Sequence, residues 1–482
     1  MKFKFENQAS GKATANALFF VKKSIQFSAV LSETGTTQAE TVLEGMQDGP
    51  FEDLEYLEID GVSTVFVNAS KERGLSSLDH LRMAGYRLGQ FAQKKQINTM
   101  SLMLADAAEE QVKAILHGLY YSEYSFDKYK SKPKKKFAVT YEIVGMDHTK
   151  EFQKVAAEVA IEQESITLAR DLINTPGTDL PPEAFVAQAK KVAKELGLEI
   201  KVRNSAQLTK EGFTGINIVG KGSQFEPYMV TLTYKPSKAP KDKHFAIVGK
   251  GLTFDTGGIS LKPAKGMWEM CSDMSGAAAA LGAISAIAKL KLPIHVTAIL
   301  CLCENRIGSK SMLPGDIFTA KNGKTVMIDN TDAEGRLALT DGFAEAGLVK
   351  ATHLVDLATL TGAMVRSLGY AVTGFFSNDE VFARKVIESG SSVCEKFWPM
   401  PLEDEYADEI KDKFADLCNS SPNVGAIAAA LFLREFLPEN IKWAHWDIAG
   451  TAFVTKPWKY TNHGATGIGV QTLIELARHL GD

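Results

Sequence analysis

Residues 244–263 read HFAIVGKGLTFDTGGISLKP, and this stretch decides the fold. It opens with an apolar run, 244–248, that gives way at once to glycine and polar residues. A short apolar run bounded by glycine predicts a buried strand that empties into a loop. The pattern recurs at 294–303, 325–328 and 354–357, with helix-like segments between several of the runs, notably 276–290 and 335–349. Buried strands alternating with helices predict an α/β domain around a central, mostly parallel sheet covered on both faces.

Upstream, 17–21 and 64–68 are strand-like while 78–95 and 106–121 are helix-like, so a smaller α/β domain precedes the first. Between the two, Phe152, Val155, Ala156, Val159 and Ala160 recur at helical spacing, and Asn174-Thr175-Pro176-Gly177 stops the pattern. The expected division is an N-terminal α/β domain over 1–148, a linker helix over 149–175 and a C-terminal α/β domain over 176–482.

With 482 residues the chain is too long for one hydrophobic core. A composition of 45% hydrophobic and 23% charged residues is ordinary for a soluble globular protein, and a net charge of -4 argues against a generally basic nucleic-acid binder. Five cysteines, an odd number without CxxC spacing, predict no disulfide framework and fit a reducing compartment. The N-terminus, MKFKFENQAS, lacks the apolar segment of a secretory signal. The longest small-apolar run, 277–288, falls short of the roughly 20 residues that span a bilayer. The expectation is a cytoplasmic protein with no membrane association. A lysine-rich stretch, 128–136, reads most simply as a solvated loop; its sharper reading is an anion or nucleic-acid contact.

Ligands in open α/β sheets gather beyond the carboxyl ends of the strands. The loops expected there carry Asp255, Asp332 and Glu334, and a helix expected nearby opens with Asp273. Four carboxylates at one place repel one another unless cations lie between them. A pair of divalent ions about 3.5–4 Å apart answers that need and activates a water. Asp332, Glu334 and Arg336 fall at every second residue, which in an extended stretch puts them on one side. Lys250 and Lys262 flank Asp255; one could ligate a metal when neutral and the other could stabilise an oxyanion. Taken singly, each residue has a plainer reading. Asp273 would be a helix cap, Asp255 a turn residue, the lysines surface charges, and Asp332 and Glu334 helix-start acids. The case is the group.

Other patterns carry less. Residues 215–221 read GxxxxGK, but Gly222 stands where a P-loop needs Ser or Thr. There is no HExxH and no GxSxG, and the nine histidines do not cluster. Cys301 and Cys303 are read as core residues on one face of a strand.

At these loops the sequence resembles the leucyl aminopeptidase family. The signature is NTDAEGRL at 330–337, joined in order and spacing by VGKGLTFDTGGISLKP, the DM-x-GAA element at Asp273, PGD at 314–316, ATLTGA at 358–363, DIAGTA at 447–452 and GATGIGV at 464–470. The resemblance runs from Arg170 to the end, and it implies an N-terminal domain similar to macro domains. It further implies two divalent ions per subunit, manganese or zinc, with magnesium or cobalt as alternatives. Lys250, Asp255, Asp273 and Glu334 would hold the tighter ion, and Asp255, Asp332 and Glu334 the more exchangeable one. Lys262 would polarise the scissile carbonyl, and Arg336 would anchor a bicarbonate that serves as general base. Thr359 and Leu360 would present backbone groups to the substrate, while Met270, Thr359, Gly362 and Ala452 would line the pocket for the first side chain. The substrates implied are peptides with an apolar first residue, the assembly a homohexamer, and the role peptide turnover. Ser275, the segment 304–307 and Phe453 depart from the family's usual residues. The reading from a different class is a DNA-binding regulator, alone or as a second activity, resting on the lysines at 128–136.

Overall fold

The computed structural model describes residues 1–6, 15–20, 54–59, 62–68, 76–104, 107–133, 135–144 and 149–481. They form two compact units, Met1–Gln163 with Trp458–Thr461, and Glu164–Pro457 with Asn462–Asp482. The division falls inside the helix Thr149–Asn174.

Among the described residues, the first unit holds a six-stranded sheet in the order Lys2–Glu6, Thr140–Val144, Thr99–Met103, Ala15–Phe20, Val62–Asn68, Leu54–Ile59. All neighbours are parallel except the last pair. The helices expected at 78–95 and 106–121 are Ser77–Lys95 and Glu109–Glu123. Val21, Asp106 and Lys134 lie outside the described residues. The remaining lysines of 128–136 are exposed and belong to no helix or strand.

The second unit is built on an eight-stranded sheet in the order Phe397–Pro399, Thr373–Ser377, Lys442–Asp447, His353–Ala358, His244–Asp255, His295–Asn305, Tyr228–Tyr234, Glu199–Asn204. The sheet is mixed and mostly parallel. Its middle run, from Lys442–Asp447 to His295–Asn305, is wholly parallel, and antiparallel pairs flank it on both sides. The strand at 325–328 does not join it. Thr325–Met327 sits in a separate three-stranded sheet beside Ile317–Thr319 and Leu417–Cys418. A tight turn at Gly323 returns the chain at once on Ile317–Thr319, and so short a loop makes that pairing the cheapest in entropy.

The strand His244–Asp255 lies in the middle of the parallel run and is buried on both faces. The helices Ser275–Lys289 and Gly335–Leu348 take opposite faces: Gly249 and Gly251 meet Ala277 of one, and Val248 meets Gly342 of the other. Residues 267–289 together are long and apolar enough to cross a bilayer, but 89% of an 18-residue window within them is buried, which marks the core of the unit. The approach is closest at Gly249, where a Cβ would lie 2.4 Å from the Ala277 Cα. Cys301 and Cys303 are buried in the core beside Val248, and all five cysteines are free.

The GxxxxGK stretch forms the short helix Gly215–Gly220. Its first N–H groups are taken by the protein: Thr214 N and Ile216 N donate to the Asp341 carboxylate at 3.1 and 2.8 Å. Burial pushes Asp341 up to about 7. The chain's own acid occupies the place where a phosphate would bind.

Two outcomes follow from this packing. Gly249→Ala should lower stability by about 1–3 kcal/mol, read as a lower Tm, because its nearest obstacles are backbone atoms. Burial also lowers His353 from 6.5 to about 4. As the pH falls below 6.5 the unfolded chain takes a proton that the folded chain refuses, so this contribution is complete above 6.5 and lost towards 4. His353→Phe, which keeps a ring against Phe382, should lose less Tm than the wild type between about pH 7.5 and about pH 5.

Candidate active site

One strand and two connecting segments bring the acids together. Asp255 is the last residue of the His244–Asp255 strand, and Lys250 lies within it. Asp273 follows the 3-10 turn Met267–Ser272 and donates its N–H to the Met270 carbonyl, so it closes that turn and does not open the helix, which starts at Ser275. Asp332 and Glu334 come from the segment between Thr325–Met327 and Gly335–Leu348. Glu334 has φ -78 and ψ -34, already helical, so the extended geometry expected for Asp332, Glu334 and Arg336 does not apply. Arg336 lies in the first helical turn. Gly335 is needed for space: a Cβ there would stand 2.4 Å from Lys250 Cε.

Asp255, Asp273 and Glu334 are buried, and one carboxylate oxygen of each lies within 4.8 Å of the others. Lys250 Nζ reaches Asp273 Oδ1 at 2.9 Å, Glu334 Oε1 at 3.0 Å and the Thr359 carbonyl at 3.0 Å. Lys262 Nζ lies 2.8 Å from Asp255 Oδ2 and 2.5 Å from Asp332 Oδ1, which brings the fourth acid to the same place.

Four carboxylates thus face two ammonium groups. Burial alone would lower the pKa of Lys250, but Asp273, Glu334 and Asp255 outweigh it and hold the group charged; the acids around Lys262 do the same. Burial, with the Asp255 charge beside it, drives Glu334 well above the usual carboxylate range and raises Asp332 too. Asp273 is also raised, by burial and by Asp255 against the pull of Lys250. Glu334 Oε2 is buried without a hydrogen-bond partner. Clustered acids short of positive charge, one with an unmet oxygen, fit divalent cations.

Of the remaining expected residues, Thr359 touches this cluster directly. Thr359 Oγ1 donates to Asp273 Oδ1 at 2.7 Å. The Leu360 N–H is taken by Asp447 Oδ1 at 3.2 Å, so its carbonyl is the backbone group it has left to offer. Gly362 starts the helix Gly362–Leu368, and Met270 lies in the turn before Asp273. Ala452 is buried, its N–H on the Ile448 carbonyl and its carbonyl accepting from Thr466 N. Arg336 is buried, donates through Nη1 to the Asn419 carbonyl at 2.8 Å, and has no partner for Nε. Burial lowers it to about 10.

Sequence reasoning missed two residues. Asp447 accepts from Leu360 N, Thr361 N and Thr361 Oγ1 and so clamps the loop that carries Thr359. Asn305 donates to Asp255 Oδ1. Both end strands of the central sheet, and that position was the available signal.

Residues 167–474 match the sequence model of the cytosol aminopeptidase family, catalytic domain. A probable cytosol aminopeptidase of Solibacter usitatus is 41% identical over 390 residues, which cover 80% of this chain and 81% of the relative. That of Geobacter sulfurreducens is 36% identical over 450 residues, covering 92% and 88%. The chain belongs to the cytosol aminopeptidase family. It is accordingly an aminopeptidase, a metal-dependent exopeptidase. Among solved structures, the bottromycin maturation enzyme BotP in complex with Mn is similar with a TM-score of 0.85 and 31% identity, over 98% of this chain and 100% of that one.

In this aminopeptidase, Asp447→Ala would release three donors of the 359–361 loop together. The expected result is a fall in kcat/KM on a leucine amide of about 100-fold, with the circular dichroism spectrum kept.

Proposed function

We propose that the enzyme removes the N-terminal residue, leucine and other mainly apolar residues, from short peptides by attack of a water activated by two divalent ions. The observation that carries this reading is the buried convergence of Asp255, Asp273 and Glu334 beside Lys250 and Lys262. Lys250, which would have to give up its proton as a dication replaces its charge, would hold one ion with Asp255, Asp273 and Glu334, and Asp255, Asp332 and Glu334 would hold the other. When bound, such ions lower the pKa of water, polarise a carbonyl and receive a free amino group. The chain's residues do the rest. Lys262 presents its ammonium to the developing oxyanion of the scissile carbonyl. Arg336, with a buried Nε that has no partner, would hold an anion, read here as bicarbonate, which would supply a general base. The Leu360 carbonyl accepts from the peptide backbone. Met270, Thr359, Gly362 and Ala452 surround the first side chain.

The manganese named with BotP supports manganese as one working ion, with zinc, magnesium or cobalt as alternatives. The relatives' name supports a cytoplasmic role in peptide turnover. A homohexamer, and a macro-like N-terminal domain joined through the helix at 149–175, complete the proposal.

The direct test is Glu334→Ala on leucine amides. Loss of an outer partner of a metal ligand costs about 10–100-fold, so loss of a ligand should cost more than about 100-fold. Near-normal hydrolysis by that variant would refute the assignment. Metal-stripped wild type should be inactive and should recover when Mn2+ or Zn2+ is returned; activity that survives stripping would sink the two-ion reading.

A further inference from the structure

The strand His295–Asn305 brings no acid to the site, yet its last residue is tied to two segments that do. Asn305 is 2% exposed, and its partner in the parallel ladder is Asp255, across a register shift between Cys303 and Asn305. Such an irregularity at a strand end re-aims the side chain that follows it. Both amide hydrogens of Asn305 are engaged: Nδ2 donates to Asp255 Oδ1 at 2.8 Å and to the Thr331 carbonyl at 3.0 Å. Its own carbonyl accepts from Thr256 N and Thr256 Oγ1 at 2.9 and 3.0 Å. Thr331 Oγ1 closes the circuit by donating to the Gly257 carbonyl at 2.6 Å.

Asp255 Oδ1 therefore has two N–H donors, Asn305 Nδ2 and Gly257 N at 2.8 Å, while Oδ2 faces the Lys262 ammonium. A carboxylate held so by one oxygen cannot rotate, and the choice of which oxygen faces the other acids is made before any ligand arrives. The bond to Thr331 fixes the residue just before Asp332 in the same act. One neutral amide thus sets both the orientation of one acid and its spacing from another.

We propose that Asn305 is a positioning residue whose side chain sets the affinity of the acid cluster for divalent cations. This rests on the metal-dependent reading above. Without the amide, Asp255 is free to turn and the 331–332 segment loses its tether, so ordering them becomes a cost of binding the ion.

The test is the Mn2+ dissociation constant of the metal-stripped full chain, measured by competition with a chromogenic chelator, beside the Tm of the same metal-free samples. The variants are Asn305→Ala, Asn305→Ser and, as control, Asn378→Ala. Asn378 makes a comparable double clamp elsewhere, on the Ile441 carbonyl and Trp443 N–H. Asn305→Ala should bind Mn2+ about 10–100-fold more weakly, and Asn305→Ser should fall between it and the wild type. Asn378→Ala should lower Tm while its Mn2+ affinity stays within about twofold of wild type. The proposal is overturned if folded Asn305→Ala binds within about twofold of wild type, or if Asn305→Ala and Asn378→Ala weaken binding alike. Should Asn305→Ala not fold, Asn305→Ser decides by the same criterion. A wild type that binds no Mn2+ overturns the metal reading itself, and this proposal with it.

Discussion

Buried carboxylates held within 4.8 Å of one another are the constraint on which the second unit depends. At that distance two like charges repel by about 3–4 kcal/mol even at an effective dielectric of about 20. No local segment would accept this on its own, since the acids come from loops far apart in the chain. The central sheet and its two flanking helices fix the distances, and their buried apolar contacts supply the opposing free energy. Lys250 and Lys262 cancel half of the charge. Divalent cations are what the remaining imbalance selects for.

Buried acids elsewhere in the unit show what a purely structural solution looks like. Glu345 receives Arg203 through both terminal nitrogens, at 2.9 and 3.0 Å, and a hydroxyl from Thr231. Asp356 accepts from Trp443 Nε1 at 2.7 Å and pairs with His445 Nδ1 at 2.6 Å. Asp341 caps a helix. Each of these has its partners inside the protein, as burial of a charge demands. Glu334 differs in having an oxygen with none. Burial is common to all of these acids; the oxygen without a partner sets Glu334 apart from the other three.

That contrast explains what the sequence could and could not show. The 244–248 run was legible because its four consecutive apolar residues, 245–248, need no context to be read as buried. The strand nevertheless runs on to Asp255, through Lys250, because Asp273 and Glu334 from distant loops, with Asp255 at the strand's own end, compensate that lysine. Hydropathy cannot see such compensation. Lys442–Asp447, KWAHWD, was unreadable for the same reason: His445 and Asp447 are buried through partners on other strands and loops. The four acids were legible because carboxylates grouped in the loops beyond the strands and before the helices carry their own chemistry. Asn305 and Asp447 were missed because an amide or an acid at such an end means little until its hydrogen bonds are known. The phase of 332–336 failed at Glu334, where the helical backbone had already begun.

The uncharged positions around Lys250 then acquire a reason. A lysine stem is long, and its ammonium must reach Asp273, Glu334 and the Thr359 carbonyl together. Gly335 leaves room for the end of the stem, since a Cβ there would press on Lys250 Cε at 2.4 Å and on Nζ at 2.8 Å. Gly276, on the helix that follows Asp273, leaves room at the stem's origin, where a Cβ would lie 2.9 Å from Lys250 N and 2.0 Å from the Leu357 carbonyl. A side chain at either position would part the strand from the helix that bears an acid. The charge balance of the site is therefore set partly by residues with no charge and no side chain, because a glycine at each position lets its segment approach Lys250, stem or backbone, closely enough to bring these acids within reach of one cation.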